Sequence, residues 1–170
     1  MLALLLLALV MQASSSSAPA TVETKYLALK PSASADAVGP GARFTLLLDV
    51  VPKPNIHVYA PGQPDYMPIS LTLDVDPAYR VAADARYPKP QVLFFKPLNQ
   101  RFKVYSAPFR ITQDVILAET PALRATAGTA GTTLVVKGKV AYQACDDLIC
   151  YLPVEAPVSW TLRLKHASVR

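Results

Sequence analysis

Cys145 and Cys150 are the two cysteines of this 170-residue chain, and the stretch that carries them reads YQACDDLICYLP from Tyr142 to Pro153. Two thiols at this spacing can help to hold a metal, staple the chain inertly, or pass electrons as a dithiol and disulfide. A zinc site takes about four ligands. The chain offers two histidines, His57 and His166, and no second cysteine pair, so neither a metal nor another cofactor is expected. As a staple the pair is weak, because closing so short a loop removes only about 2 kcal/mol of unfolded-chain freedom. The inter-sheet disulfide of antibody domains has a tryptophan between its cysteines, whereas Trp160 follows both. Short cross-strand bridges tend to be reducible. On spacing alone, a reversible dithiol and an inert hairpin bridge stand level.

The residues before the pair say how it is held. Leu134, Val136, Gly138, Val140 and Tyr142 alternate with Val135, Lys137, Lys139 and Ala141, the period of a strand. That strand delivers Cys145 at its end. Residues 146–149 then make a four-residue hairpin loop, and Cys150 opens the return strand facing Cys145. With no third cysteine in the chain, the two are expected to pair with each other. Asp146 and Asp147 in the loop read equally as a polar hairpin tip or as charges that raise the thiol pKa values. Raised pKa values would leave exchange dependent on docking to a more activated partner.

The rest of the chain reads as scaffold. Sixteen prolines in 170 residues, about twice the usual share of about 5%, are spread along the chain and punctuate short strands. Candidate strands are 22–29, 44–51, 56–59, 69–75, 109–115, 132–144 and 158–164. Seven short alternating strands predict an all-β fold, an immunoglobulin-like β-sandwich. The alanine-rich segment 119–130 has room for a helical turn only, between Pro121 and Gly128. Alternation nominates a core of Phe44, Leu46, Leu48, Leu71, Leu73, Leu134, Val136 and Val140, with Trp160 among them. Burying such side chains is worth about 1.5 to 3 kcal/mol each, so the fold is expected to survive reduction of the pair.

Length fits one domain, assigned to residues 21–166, with a leader at 1–20 and a tail at 167–170. Residues 1–10 are uninterruptedly apolar and lead into Met11-Gln12-Ala13 and four serines, the pattern of a secretory signal peptide without its usual basic start. A periplasmic or secreted protein is expected after cleavage. An apolar run of about ten residues is half of what a bilayer span needs. The net charge of +5 comes from 17 basic and 12 acidic side chains, with no run of basic residues, so nucleic acid is not an expected partner. A monomer is expected.

The Tyr142-Gln143-Ala144-Cys145 run, Cys150, Pro153 and the strand around Trp160 resemble the amino-terminal periplasmic domain of the thiol:disulfide interchange protein DsbD. His57-Val58-Tyr59, Tyr87-Pro88 and Val104-Tyr105 resemble it in order and spacing, and the similarity spans about residues 22–164. The resemblance implies an immunoglobulin-like domain whose Cys145 and Cys150 take electrons from a membrane-embedded thiol donor and pass them to thioredoxin-like periplasmic proteins. It also implies that Cys150 is the sulfur that links to the downstream substrate, and that His57, Tyr59 and Tyr142 lie near the cysteines. The family's full-size proteins continue into membrane and thioredoxin-like domains, so a separate polypeptide is the expected donor. Where the family carries an acidic and aromatic cap loop, this chain has Phe94, Phe95 and, after Lys96-Pro97-Leu98-Asn99-Gln100-Arg101, Phe102. These rings shield the sulfurs if they form a cap. The rival function is a secreted immunoglobulin-like binding module with an inert hairpin disulfide.

Overall fold

The computed structural model describes residues 20–63, 66–95 and 99–166. All of the expected leader except Ala20, and the tail at 167–170, lie outside the described residues. In chain order the elements are β1 (Val22–Glu23), β2 (Leu27–Ala33), β3 (Ala37–Val38), β4 (Arg43–Pro52), β5 (His57–Tyr59), β6 (Ser70–Leu73), β7 (Tyr79–Val81), β8 (Gln91–Phe95), β9 (Gln100–Tyr105), β10 (Phe109–Leu117), α1 (Pro121–Thr126), β11 (Thr133–Tyr142), β12 (Ala144–Cys145) and β13 (Val154–Leu164). Two sheets, ordered β1-β2-β4-β10-β7 and β3-β13-β11-β6, form the expected immunoglobulin-like sandwich.

The strict alternation of β11 and β13 lets both strands bury one face and expose the other, pairing antiparallel from Thr133 opposite Arg163 to Tyr142 opposite Val154. Leu134, Val136, Val140, Val158, Trp160 and Leu162 thereby meet Leu46, Leu48, Val50, Ile111 and Val115 of the other sheet in one core. Trp160 crosses the sandwich: its Nε1 donates to the Leu47 carbonyl oxygen at 3.0 Å. That satisfies the one polar atom the ring buries. The core positions named from alternation are buried, except Leu73, which is partly buried at the core's rim. Pro157 lies inside β13, yet β3 meets β13 only at Arg163 and Leu164, so Pro157 sits on an open edge where proline is tolerated.

Two differences from the expected strands have local causes. The candidate strand at 22–29 divides into β1 and β2, because the Thr24 hydroxyl accepts from the Leu27 and Tyr26 amides and turns the chain between them. Strands β3, β7, β8 and β9 carry no clear alternation, and of these β8 and β9 matter for the site. They pair as a hairpin, Gln91 opposite Val104 through Phe95 opposite Gln100. In the segment 119–130, α1 is a short connection. Thr120 caps it by accepting from the Leu123 amide at 3.2 Å.

A third, smaller sheet runs β12-β5-β9-β8. One face of it, with Val58, Tyr105 and Ala144, joins the sandwich core. Its other face, with Tyr59, Phe102, Val104 and Cys145, builds a separate apolar cluster. The chain reaches this sheet directly from β11 through Gln143 and β12.

Candidate functional site

Because side chains alternate across a strand, Ala144 points into the core and Cys145 into the second cluster, where it is 1% exposed. Cys145 stands opposite His57 and Ala144 opposite Val58 in the β12–β5 ladder. The chain then turns over residues 146–149 and brings Cys150 back opposite Cys145. The two are joined by a disulfide, with Cα atoms 4.0 Å apart. Unlike its partner, Cys150 is exposed.

The hairpin is held by more than the bridge. The Asp146 amide donates to the Ile149 carbonyl at 2.9 Å and the Tyr151 amide to the Ala144 carbonyl at 2.8 Å. The Asp146 carboxylate accepts from the Leu148 and Ile149 amides at 2.8 Å each and from the Tyr151 hydroxyl at 2.6 Å. The Tyr151 bond above all, then the two amides, hold its pKa below the usual carboxylate range. Asp146 is therefore a structural acceptor within the loop. Tyr151 in turn stacks on Tyr26 with ring centroids 4.6 Å apart, and the Lys25 ammonium lies 5.1 Å and 5.5 Å from the two rings. This anchors the return strand to the sandwich.

Around the sulfurs, Tyr59 is buried, and its hydroxyl lies 3.3 Å from Cys150 Sγ. A disulfide sulfur carries no hydrogen, so the phenol is the donor. Burial, seconded by Tyr66, pushes the Tyr59 pKa up to about 12, which keeps that hydrogen in place across the physiological range. The Tyr59 ring packs against Tyr66 at 4.4 Å and against Phe102 at 5.6 Å. His57 is buried on the same face of β5 as Tyr59 and meets its ring edge-on at 6.3 Å. Burial lowers the His57 pKa, and Asp147, then Asp146, oppose that shift. His57 and Asp147 share a cleft of about 240 Å³ with Gln91, Leu93, Val104 and Ser106.

The residues nominated from sequence divide. His57, Tyr59, Cys145, Cys150, Asp146 and Asp147 come together. Phe95 and Phe102 lie in the cluster that encloses Cys145. Phe94, their neighbour in sequence, turns to the other side of β8, is 46% exposed and carries the Arg101 guanidinium over its ring at 5.5 Å. Residues 96–98 lie outside the described residues. Tyr142 belongs to the sandwich core and hydrogen-bonds the Thr24 hydroxyl at 2.8 Å. Tyr66 and Tyr151 were not nominated. Tyr66 sits in a proline-flanked loop with no period to read, whereas Tyr151 follows Cys150 directly and was open to notice. Leu148, Ile149 and Leu152, flanking Cys150, are 82%, 56% and 86% exposed, an apolar rim about the exposed cysteine.

Residues 23–160 match the family described as thiol:disulfide interchange protein DsbD, N-terminal. The chain belongs to this family. Among solved structures, the N-terminal periplasmic domain of ScsB from Proteus mirabilis has the same fold. Its TM-score is 0.56 at 10% identity, covering 87% of this chain and 52% of that one. The chain thus spans about half the length of that structure. The GAE domain of yeast GGA1 aligns at a TM-score of 0.42 and 8% identity, over 82% of this chain and 95% of that one. Comparison with curated proteins returns no match. For a DsbD-type interchange domain, one buried and one exposed cysteine within a braced hairpin are the parts of a two-thiol exchange unit.

Proposed function

We propose that this DsbD-type domain works outside the cytoplasm, after removal of the apolar leader, and carries reducing equivalents from a membrane-embedded thiol donor to thioredoxin-like periplasmic proteins. The observation that carries the reading is the unequal burial of the two cysteines, Cys150 an exposed residue and Cys145 a buried one. In the reduced domain the Cys150 thiolate attacks the partner's disulfide, forming a mixed disulfide and releasing the partner's first sulfur as a thiolate. Cys145 then attacks Cys150 Sγ, closes the internal bridge and releases the partner's second sulfur. Two electrons pass to the partner, and the domain leaves oxidised. The donor restores the dithiol by the reverse sequence, its thiolate attacking the accessible Cys150. The Tyr59 hydroxyl, 3.3 Å from Cys150 Sγ, supports the thiolate form of that sulfur, because a hydrogen bond to a charged acceptor is the stronger kind.

Removing the resolving thiol tests the assignment. Cys145→Ala should accumulate covalent complexes with thioredoxin-like proteins in an extract of the exported compartment, and Cys150→Ala should accumulate fewer. If Cys145→Ala traps nothing and the wild-type bridge resists millimolar dithiothreitol, the exchange reading falls. An immunoglobulin-like binding module with an inert hairpin bridge would then take its place.

A further inference from the structure

Resolution of the mixed disulfide asks Cys145 to become a thiolate in the least favourable spot of the site. It is 1% exposed and packed among Tyr59, Phe102 and Val104, surroundings that penalise a charge. The buried base nearest to it by strand register is a histidine. His57 stands directly opposite Cys145 in the β12–β5 ladder, and side chains of directly opposed residues share one face with Cβ atoms about 4.5 to 5.5 Å apart. Face assignment agrees: Val58 and Ala144, the neighbouring opposed pair, both point into the sandwich core, while Tyr59 and Cys145 lie in the second cluster. Resting on the exchange reading, we infer that His57 is the proton acceptor for Cys145. It takes the Sγ proton as Cys145 attacks Cys150 in the mixed disulfide.

The surroundings suit an imidazole that is neutral at rest and charged in passing. Burial favours the neutral base, and the acidic groups that face it, Asp147 and Asp146 from the hairpin, favour the imidazolium. From its own strand it meets the Tyr59 ring. The β8–β9 side of its cleft contributes only uncharged side chains among the described residues, Gln91 and Ser106 being the polar ones. In the resolving step the Cys145 proton moves to the imidazole, the S–S bond to the partner breaks, and the Cys145–Cys150 bond forms. The partner's sulfur leaves as a thiolate and takes a proton from the imidazolium or from water. An ordinary thiol with pKa about 8.5 is only about 3% thiolate at pH 7, so a positioned acceptor can raise this step by up to about thirtyfold.

The test uses the full chain, reduced, with dithiobis(nitrobenzoate) as the disulfide. The first coloured thiolate is released when Cys150 attacks and the second when Cys145 resolves, so stopped-flow absorbance separates the two. From about pH 5 to about pH 9, His57→Gln and His57→Phe should slow the second phase at pH 7 by about tenfold or more and move its pH midpoint up by about one unit. The first phase serves as the internal reference. In wild-type protein, with the two imidazole signals assigned through His166→Gln, nuclear magnetic resonance gives the His57 midpoint of the reduced state, and the second phase should rise with pH through that same midpoint, as transfer to the neutral imidazole requires. This reading needs no His57 variant to fold. A second phase indifferent to His57 in folded variants, or one whose rise with pH in wild type bears no relation to the His57 midpoint, overturns the inference and leaves the exchange reading standing. A wild-type protein with no second phase overturns both.

Discussion

Replacing Tyr59 with phenylalanine isolates one hydrogen bond at the exposed cysteine. The ring and its contacts with Tyr66 and Phe102 stay, and only the hydroxyl 3.3 Å from Cys150 Sγ is lost. A hydrogen bond to a charged acceptor is worth about 1.5 to 3 kcal/mol net and one to a neutral group about 0.5 to 1.5. The thiolate therefore loses about 1.4 kcal/mol more than the thiol, which raises the Cys150 pKa by about one unit. Below the thiol pKa the thiolate fraction falls about tenfold, while each thiolate becomes about threefold more nucleophilic, because reactivity rises with basicity with a slope of about 0.4 to 0.5. Tyr59→Phe should thus react about threefold more slowly than wild type near neutral pH and about threefold faster where both are fully ionised. Pseudo-first-order reaction of the Cys150 thiol, followed across pH in the Cys145→Ala background, reads the crossing directly. Superimposable profiles would refute a thiolate-stabilising role for the phenol.

Phe95→Ala should speed reduction of the bridge by small thiols by about fivefold, the equivalent of about 1 kcal/mol of lost shielding, and Phe94→Ala should leave that rate unchanged. Thiol-trapping time courses distinguish them. Trp160→Ala should destabilise the domain by about 3 to 5 kcal/mol in urea unfolding, reduced or oxidised. Arg86, then Thr45, hold the Asp114 carboxyl at about 2, below its ordinary 3.8. A folded-state value below the unfolded one means a contribution present above about pH 4 and lost as pH falls toward 2. Wild type should lose stability through that window more steeply than Asp114→Asn, as denaturant midpoints at several pH values would show.

Where one face of a strand meets a large core and the other meets water, the sequence writes the strand out plainly. β11 and β13 do so, and the hairpin that β11 feeds could be placed residue by residue. β8 and β9 could not, because Gln91–Phe95 carries apolar side chains on both faces, Leu93 and Phe95 toward the small cluster and Val92 and Phe94 outward, while Gln100–Tyr105 divides its few apolar side chains between that cluster and, at Tyr105, the sandwich core. Phe94 and Phe95 thus looked alike until pairing with β9 assigned them to opposite sides. Tyr142 continued the β11 alternation and so belonged to the core, although its place beside the cysteines in sequence suggested the site. The unequal exposure of the two cysteines was out of reach for another reason. It depends on a third sheet assembled from segments as distant as 57–59 and 100–105, whose meeting no local pattern records.

The bracing of the cysteine hairpin has a consequence for traffic through the domain. Its register is kept by the Asp146 to Ile149 and Tyr151 to Ala144 hydrogen bonds, the Asp146 carboxylate and the Tyr26 stack, none of which includes a sulfur. These ties do not depend on the bridge, so the hairpin is expected to hold one backbone with its sulfurs bonded or free. In the proposed shuttle, loaded and spent forms would then present one outline, and a partner could not sort them by shape. Throughput would be left to concentrations and to the relative potentials of the sulfur pairs.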